Sequence, residues 1–290
     1  MALFLAGSLF RDASPRGGFD SLGVETRQLL VFAAPIGAYQ LLNAFIFRLD
    51  VIMLAFFIGR APGVTLATVG IYGAVVEIAG GLRKVNQAFN PIFAPVVAEM
   101  TASGEQARAA AAYAQLAQWM LWILCPLVVS LALAGGVILM IFGPAFVQGS
   151  SWLGIVGLAC ATNAFVSLSE TVIMVQRPHL NLITSAFTCA VSVGANLWLI
   201  PRFGVTGAAF GILLPFVVQG ILRYGALRWL FRWRTSWSNI APPLVATVIA
   251  LVPALLCRAL LGGVAGEIIT ALLFLLFFGG CWWRVRKSHR

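Results

Sequence analysis

Long apolar runs make up most of the chain, and short polar stretches separate them. A membrane-spanning helix needs about 20 mostly apolar residues. Runs that approach or exceed that length occupy residues 29–59, 64–97, 113–141, 151–175, 180–200, 205–230, 240–261 and 265–283. The pattern predicts an all-α fold, a polytopic integral membrane helical bundle of about eight transmembrane helices.

The connections between these runs are too short to hold a soluble domain. The longest polar connections are residues 11–28, 98–112 and 231–239, so we expect the function to lie between helices. The chain opens with "MALFLAGSLF", which is about half a span and lacks the basic start and cleavage site of a signal peptide. We interpret it either as an interfacial segment or as the tail of a helix that begins upstream.

Composition agrees with a membrane protein: the 290 residues are 61% hydrophobic and 10% charged, and mean hydropathy is +0.96. Soluble domains have about 45–50% apolar residues. The net charge of +10 would suggest nucleic acid, but its distribution follows membrane topology. With a cytoplasmic N-terminus, the outer side holds Arg60, Arg202 and Arg258, and the inner side holds Arg11, Arg16, Arg27, Arg108, Arg177, Arg223, Arg228, Arg232, Arg234, Arg284, Arg286, Lys287 and Arg290.

This asymmetry places both termini in the cytoplasm. It predicts contact with anionic membrane lipids and no nucleic-acid partner. The five cysteines fall in or beside apolar runs, without the spacing of a metal site or a disulfide framework. No phosphate-loop sequence of the GxxxxGK[ST] type is present, so we expect no metal, no cofactor and no ATP.

Two charges lie inside the first span, in "FIFRLDVIML". Arg48 and Asp50 are about 200° apart on a helix, whereas Asn43 and Asp50, seven residues apart, share a face. A charge at the bilayer centre costs at least about 2.5–3.5 kcal/mol, so each needs its own partner. If the first two spans form a hairpin, the 1.5 Å rise per residue puts Glu77 at nearly the same depth as Arg48, and we predict that they pair.

The second span has a stripe of small and polar residues at spacings of three and four, with Arg83 beside it: Gly73, Glu77, Gly80, Lys84, Gln87 and Pro91. Pairing Arg48 with Glu77 leaves Asp50, Arg83 and Lys84 unassigned, with one excess positive charge. A basic cavity would suit a diphosphate headgroup, held by Asn43, Arg48, Arg83 and Lys84. The alternative is that these groups pair among helices and only fix their register.

Polar residues also line the fourth and fifth spans. The fourth carries Asn163, Ser167 and Glu170, and Glu170 either reaches water or couples transport to protons. The fifth carries a polar row along one face, and we expect it to join helices: Asn181, Ser185, Thr188, Ser192 and Asn196.

Four segments occur in an order that resembles a known family. They are "APIGAYQLLNAFIFRLDVIMLAFFIG", "NPIFAPVVAEMTASGE", "ILMIFGPAFVQGSSWLGIV" and, after Asn196, "IPRFGVTGAAFG". Together they resemble the later half of polysaccharide exporters and O-antigen flippases of the multidrug/oligosaccharidyl-lipid/polysaccharide flippase superfamily, over about residues 29–230.

The resemblance implies two pseudo-symmetric six-helix bundles that alternate access around a central cavity. It also implies a cargo of undecaprenyl-pyrophosphate-linked oligosaccharide, used in surface polysaccharide or lipopolysaccharide biosynthesis at the bacterial inner membrane. Basic residues in the opening helices hold the pyrophosphate in related flippases, and Arg48, Asp50, Arg83 and Lys84 occupy comparable helices here.

Under this resemblance the chain divides into three parts. Residues 1–28 are a cytoplasmic N-terminal segment, 29–230 one six-helix lobe, and 231–290 an extra helix pair with a basic cytoplasmic end. The resemblance covers only the second bundle and that pair. A homodimer or a missing N-terminal lobe would therefore supply the opposite wall.

Other functions remain open. A cation-coupled drug antiporter of the same superfamily would favour a cavity rich in carboxylates, with Asp50, Glu77 and Glu170 as ion-pair or coupling residues. A membrane glycosyltransferase or polymerase would place catalytic groups on large outer loops, which are short here, so we predict a transporter rather than an enzyme. A truncated, non-transporting remnant is the last alternative.

Overall fold

The computed structural model describes residues 19–230, 232, 237–261 and 263–288, and the regular secondary structure in these ranges is helical. This confirms the predicted all-α fold for that part of the chain. Most of the segment predicted at 1–28 lies outside the described residues, although a helix already begins at Phe19. The helices are α1 (Phe19–Phe56), α2 (Leu66–Gly80), α3 (Arg83–Ala102), α4 (Gln106–Leu133), α5 (Gly135–Met140), a 3-10 helix (Pro144–Gly149), α6 (Ser150–Gln176), α7 (Pro178–Leu230), α8 (Trp237–Leu260) and α9 (Gly263–Ser288).

Seven helical stretches of the described residues are long and apolar enough to cross a membrane. The longest, His179–Trp229, lies within α7, which folds back on itself at Gly204. The side-chain amide of Asn196 donates to the carbonyl of Gly211, and that of Gln219 donates to Ser185 Oγ, so the two arms run antiparallel. With the two arms counted separately, the described residues offer eight stretches that could cross a membrane, the number that the sequence predicts.

Gly204 makes this reversal possible. Its backbone angles are φ 57° and ψ −132°, a region that residues with a side chain rarely adopt. A Cβ atom at this position would also lie 2.1 Å from the carbonyl oxygen of Pro62. The turn of α7 therefore packs directly against the loop between α1 and α2.

The second predicted span differs from the expectation of one continuous helix at 64–97. The chain leaves regular helix at Gly81 and Leu82, so α2 and α3 are separate helices that together cross the membrane. Hydrogen bonds between backbone groups three residues apart span this break; the amide of Lys84, for example, donates to the carbonyl of Gly81. A break inside a span is tolerated where neighbouring protein or water satisfies the freed backbone groups.

Helix α6 lies at the centre of the main cluster, where it packs against α2, α3, α4 and α7. Small residues bring the axes close: a Cβ on Gly154 would lie 3.1 Å from Ala132 in α4, and one on Gly220 would lie 2.9 Å from Val166. Helix α1 packs along α7 but meets α2 only over a short stretch. One side of α1 is consequently left uncovered.

Helices α8 and α9 pack together and against α4, with a core of their own. An ion pair reinforces this junction, since Arg258 lies 3.6 Å from Glu267 and also donates to the carbonyl of Leu133. Glu267 in turn accepts a hydrogen bond from the amide of Val137. The pair thus satisfies backbone groups at the break between α4 and α5.

Replacing Gly204 by alanine should destabilise the protein, by about 1–3 kcal/mol from backbone strain alone, with the clash against Pro62 in addition. Gly194, in the same helix, has open space at its Cβ position and is the matched control. Thermal unfolding in detergent should show a lower midpoint for Gly204→Ala and an unchanged or higher midpoint for Gly194→Ala. Equal midpoints for the two variants would show that the reversal does not depend on glycine.

Candidate functional site

The uncovered side of α1 and the adjoining side of α2 and α3 form one surface, which we call the open face. Its α1 stripe, Leu41, Phe45, Arg48 and Ile52, is exposed at successive turns. Its α2–α3 side contains the small and polar stripe predicted from the sequence together with Gly70, and all of these residues are exposed or half-exposed: Gly70, Gly73, Glu77, Gly80, Lys84, Gln87 and Pro91.

Arg48 and Glu77 connect the two stripes. Arg48 Nη1 donates to Glu77 Oε1 at 2.6 Å, which confirms the pair predicted from depth. The two side chains are 61% and 65% exposed, although both residues lie well inside their spans. Hydrocarbon solvates such charges poorly, so this exposure favours water or another protein surface opposite the open face.

Lys84 and Arg83 begin α3, and they point in different directions. Lys84 is exposed on the open face and has no ion-pair partner among the described residues. Arg83 is half-buried, and its guanidinium stacks 3.2 Å from the ring centroid of Phe47. The sequence analysis left Arg83 without a partner, and the structure gives it a cation–π contact.

Asp50 lies inside the lobe, away from the open face, with 1% of its surface exposed. The hydroxyl of Tyr72 donates to its Oδ2 at 2.7 Å, while Oδ1 has no partner within the described part of the chain. The sequence analysis also left this carboxyl unassigned. The hydrogen bond from Tyr72 to Asp50 joins α1 to α2. Because Asp50 is buried there, it contributes no charge to the open face.

The charge balance of the open face follows from these placements. Arg48 and Glu77 neutralise each other, and Lys84 adds one positive charge. Asn43 lies half-buried on α1, where its amide donates to the hydroxyl of Tyr39 at 2.6 Å. The open face therefore keeps the net positive charge that the sequence predicts, although fewer charged residues lie on it than the sequence predicts.

A second polar cluster lies inside the lobe, centred on Arg223 of α7. This residue is fully buried, donates from Nη1 to Glu170 Oε2 at 3.2 Å, and donates from Nη2 to the Tyr39 hydroxyl at 3.3 Å. The amide of Asn181 donates to the backbone carbonyl of Glu170. Helices α1, α6 and α7 are therefore joined through one guanidinium.

The charge count places Arg223 among the inner-side charges and does not predict its burial. The missed signal was its position: Ile212, Phe216, Gln219, Arg223 and Leu227 recur at spacings of three and four, and all are buried. A basic residue on the apolar stripe of a helix points to a buried partner. Glu170 is that partner, so it is neither free in water nor available as an unpaired coupling carboxyl.

The polar row of α7 behaves as expected for helix joining. All five residues are buried, and Asn181, Ser185 and Asn196 make hydrogen bonds to α6 or to the other arm of α7. Such bonds contribute about 0.6 kcal/mol each on average in membrane proteins. They fix the position of the α7 hairpin against α6.

No protein-family model matches the chain, and no curated protein matches it. The resemblance to the flippase superfamily therefore rests on the quoted segments and stays a prediction.

Removing Arg223 should be costly because it leaves Glu170 without its partner inside the lobe. We expect Arg223→Ala to lower the free energy of unfolding by about 3–5 kcal/mol, measured by thermal or denaturant unfolding in detergent. Arg108→Ala, which breaks an exposed pair with Glu105, should cost less than about 1 kcal/mol. Adding Glu170→Gln to Arg223→Ala should recover part of the loss, and equal effects of the two alanine variants would refute the buried network.

Proposed function

We propose that this chain is one lobe of a membrane flippase that moves an undecaprenyl-pyrophosphate-linked oligosaccharide outward by alternating access. The observation that carries the proposal is the open face, where Arg48, Glu77 and Lys84 are exposed within membrane spans. Charged side chains at that depth are functional candidates by default, because lipid contact would be costly. The resemblance of the four sequence segments supports the same class of transporter.

The open face suits a diphosphate better than a cationic drug. A guanidinium binds phosphate oxygens with two parallel hydrogen bonds, and an ammonium group acts as a point charge. Arg48 is tethered to Glu77 by one nitrogen, which leaves its other donors for a ligand, and Lys84 has no competing partner among the described residues. In this proposal Arg48 and Lys84 bind the diphosphate, and Arg83, which is stacked on Phe47 beside the open face, adds a third cation at its margin.

Alternating access requires a second bundle opposite the open face. The proposal assigns that wall either to a second copy of this chain or to a preceding lobe of the same kind. The movement that alternating access requires would take place at the open face, because hydrogen bonds from Arg223 and Tyr72 fix the other sides of α1. Small residues at Gly70, Gly73 and Gly80 leave space there for a ligand or for close approach of the second bundle.

A cation-coupled drug antiporter is the second candidate function. The buried carboxyl of Asp50, with one unpartnered oxygen, is the observation that favours it. That carboxyl faces Tyr72 inside the lobe, however, and a drug cation on the open face would meet the net positive charge described above. We therefore rank this function below lipid flipping.

The test is complementation of a bacterial strain that lacks its own lipid-linked oligosaccharide flippase. The wild-type chain should restore surface polysaccharide, whereas Arg48→Ala, Arg83→Ala and Lys84→Ala should lose most of that activity because each removes a phosphate-binding cation. Matched controls are Arg60→Ala and Arg202→Ala, which remove exposed cations that stack on Phe56 and Trp198 elsewhere. These controls should complement as wild type does.

Membrane abundance of every variant is measured by immunoblot, so that loss of protein is distinguished from loss of transport. Full complementation by all three alanine variants would contradict the basic cavity. Failure of the wild-type chain, together with normal abundance, would contradict flipping by two copies of this chain.

A further inference from the structure

Two apolar grooves lie side by side on the outer surface of the bundle, on either flank of Trp119. One, of about 370 Å³, lies between α3 and α4 and is lined mainly by Phe89, Ile92, Phe93, Val96 and Leu116. The other, of about 310 Å³, lies between α4 and α9 and is lined by Trp119, Trp122, Ile123, Phe278, Gly279 and Trp282. We call the second one the α4–α9 groove.

The α9 side of this groove ends in positive charge. Gly279, Trp282 and Arg286 are three and four residues apart and therefore follow one face of the helix. The guanidinium of Arg286 lies over the ring of Trp282, and the ammonium of Lys287 lies over that of Trp283. These contacts hold two exposed cations one to two turns beyond the apolar groove, about 10 Å from Gly279 along the helix axis.

Near the Arg286 end of the groove, the charged residues of α4 and α9 are all positive. Helix α9 carries Arg284, Arg286 and Lys287 in its last turns, and its glutamate, Glu267, lies at the opposite end beside Arg258. On α4 the charged residue is Arg108, which is already paired with Glu105. An anion at the end of the groove would therefore meet two exposed cations, Arg286 and Lys287.

We propose that the α4–α9 groove is a binding site for an anionic phospholipid. One acyl chain lies against Gly279 and Trp119, and the phosphate group contacts Arg286 and Lys287. The groove opens to the outside of the bundle at membrane depth, where hydrocarbon chains are the surrounding medium, and tryptophan and basic residues at the helix end suit the headgroup level. The site lies on α4 and α9 and is independent of the open face on α1 and α2.

The chain offers matched variants for both parts of the site. A side chain at Gly279 would enter the groove without a clash, since nothing lies within 4 Å of its Cβ position. Gly280 is equally unhindered but does not line the groove, which makes Gly280→Leu the control for Gly279→Leu. For the cations, Arg286→Gln with Lys287→Gln is compared with Arg60→Gln and Arg202→Gln.

The experiment measures retention of added lipid by the purified full chain in detergent, using native mass spectrometry. The probes are dioleoyl phosphatidylglycerol and dioleoyl phosphatidylcholine, which share their chains and differ in charge. We expect the wild type to prefer phosphatidylglycerol. The double glutamine variant should weaken phosphatidylglycerol binding by about fivefold for each charge removed and leave phosphatidylcholine unchanged.

Gly279→Leu should weaken the binding of both lipids by about fifteenfold, because the leucine side chain would remove two methylene groups of the acyl chain from contact with the groove. Gly280→Leu and the Arg60/Arg202 variant should match the wild type. Equal retention of the two lipids by the wild type, or equal effects of the Gly279 and Gly280 substitutions, would overturn the site. Because no transport is measured, the result does not depend on the proposed flippase activity.

Discussion

A charge inside a membrane span must find a partner within the protein, and the position of α1 depends on this constraint. Within its membrane span, Gly37–Phe56, helix α1 carries one basic and one acidic residue on opposite sides. Asp50 is satisfied inwards by the hydroxyl of Tyr72, and Arg48 is satisfied on the exposed side by Glu77. Both contacts reach α2, so two opposite faces of α1 are fixed by hydrogen bonds to one neighbour that it otherwise touches only briefly.

A third contact holds α1 from the other direction. The hydroxyl of Tyr39 accepts a hydrogen bond from Arg223, whose guanidinium also binds Glu170 in the central helix α6. Because Arg223 is fully buried, this connection is protected from competition by water. The same hydroxyl accepts from Asn43, which lies half-buried on α1. The buried ion pair thus orients the helix that forms one half of the open face.

The sequence predicted those features that depend on distance along the chain. Hydrophobic run length predicted eight spans, and the rise per residue matched Arg48 to Glu77. The sequence did not predict the burial of Arg223, because counting charges on each side of the membrane ignores the helix face on which a basic residue lies. The contact with Tyr39 joins residues 184 positions apart, and only the packing of α1 against α7 brings them together.

If the open face borders water within the membrane, a thiol placed on it is accessible to a water-soluble reagent, and cysteine labelling measures this accessibility. Gly73→Cys places a thiol on the open face, with nothing within 4 Å of its Cβ position, and Val248→Cys places one on the exposed side of α8. Both are introduced after the native cysteines are replaced by alanine, and open membrane fragments are treated with a charged, membrane-impermeant maleimide. An open face in contact with water gives labelling at position 73 and none at position 248, whereas equally low labelling at both positions would show that the open face does not border water.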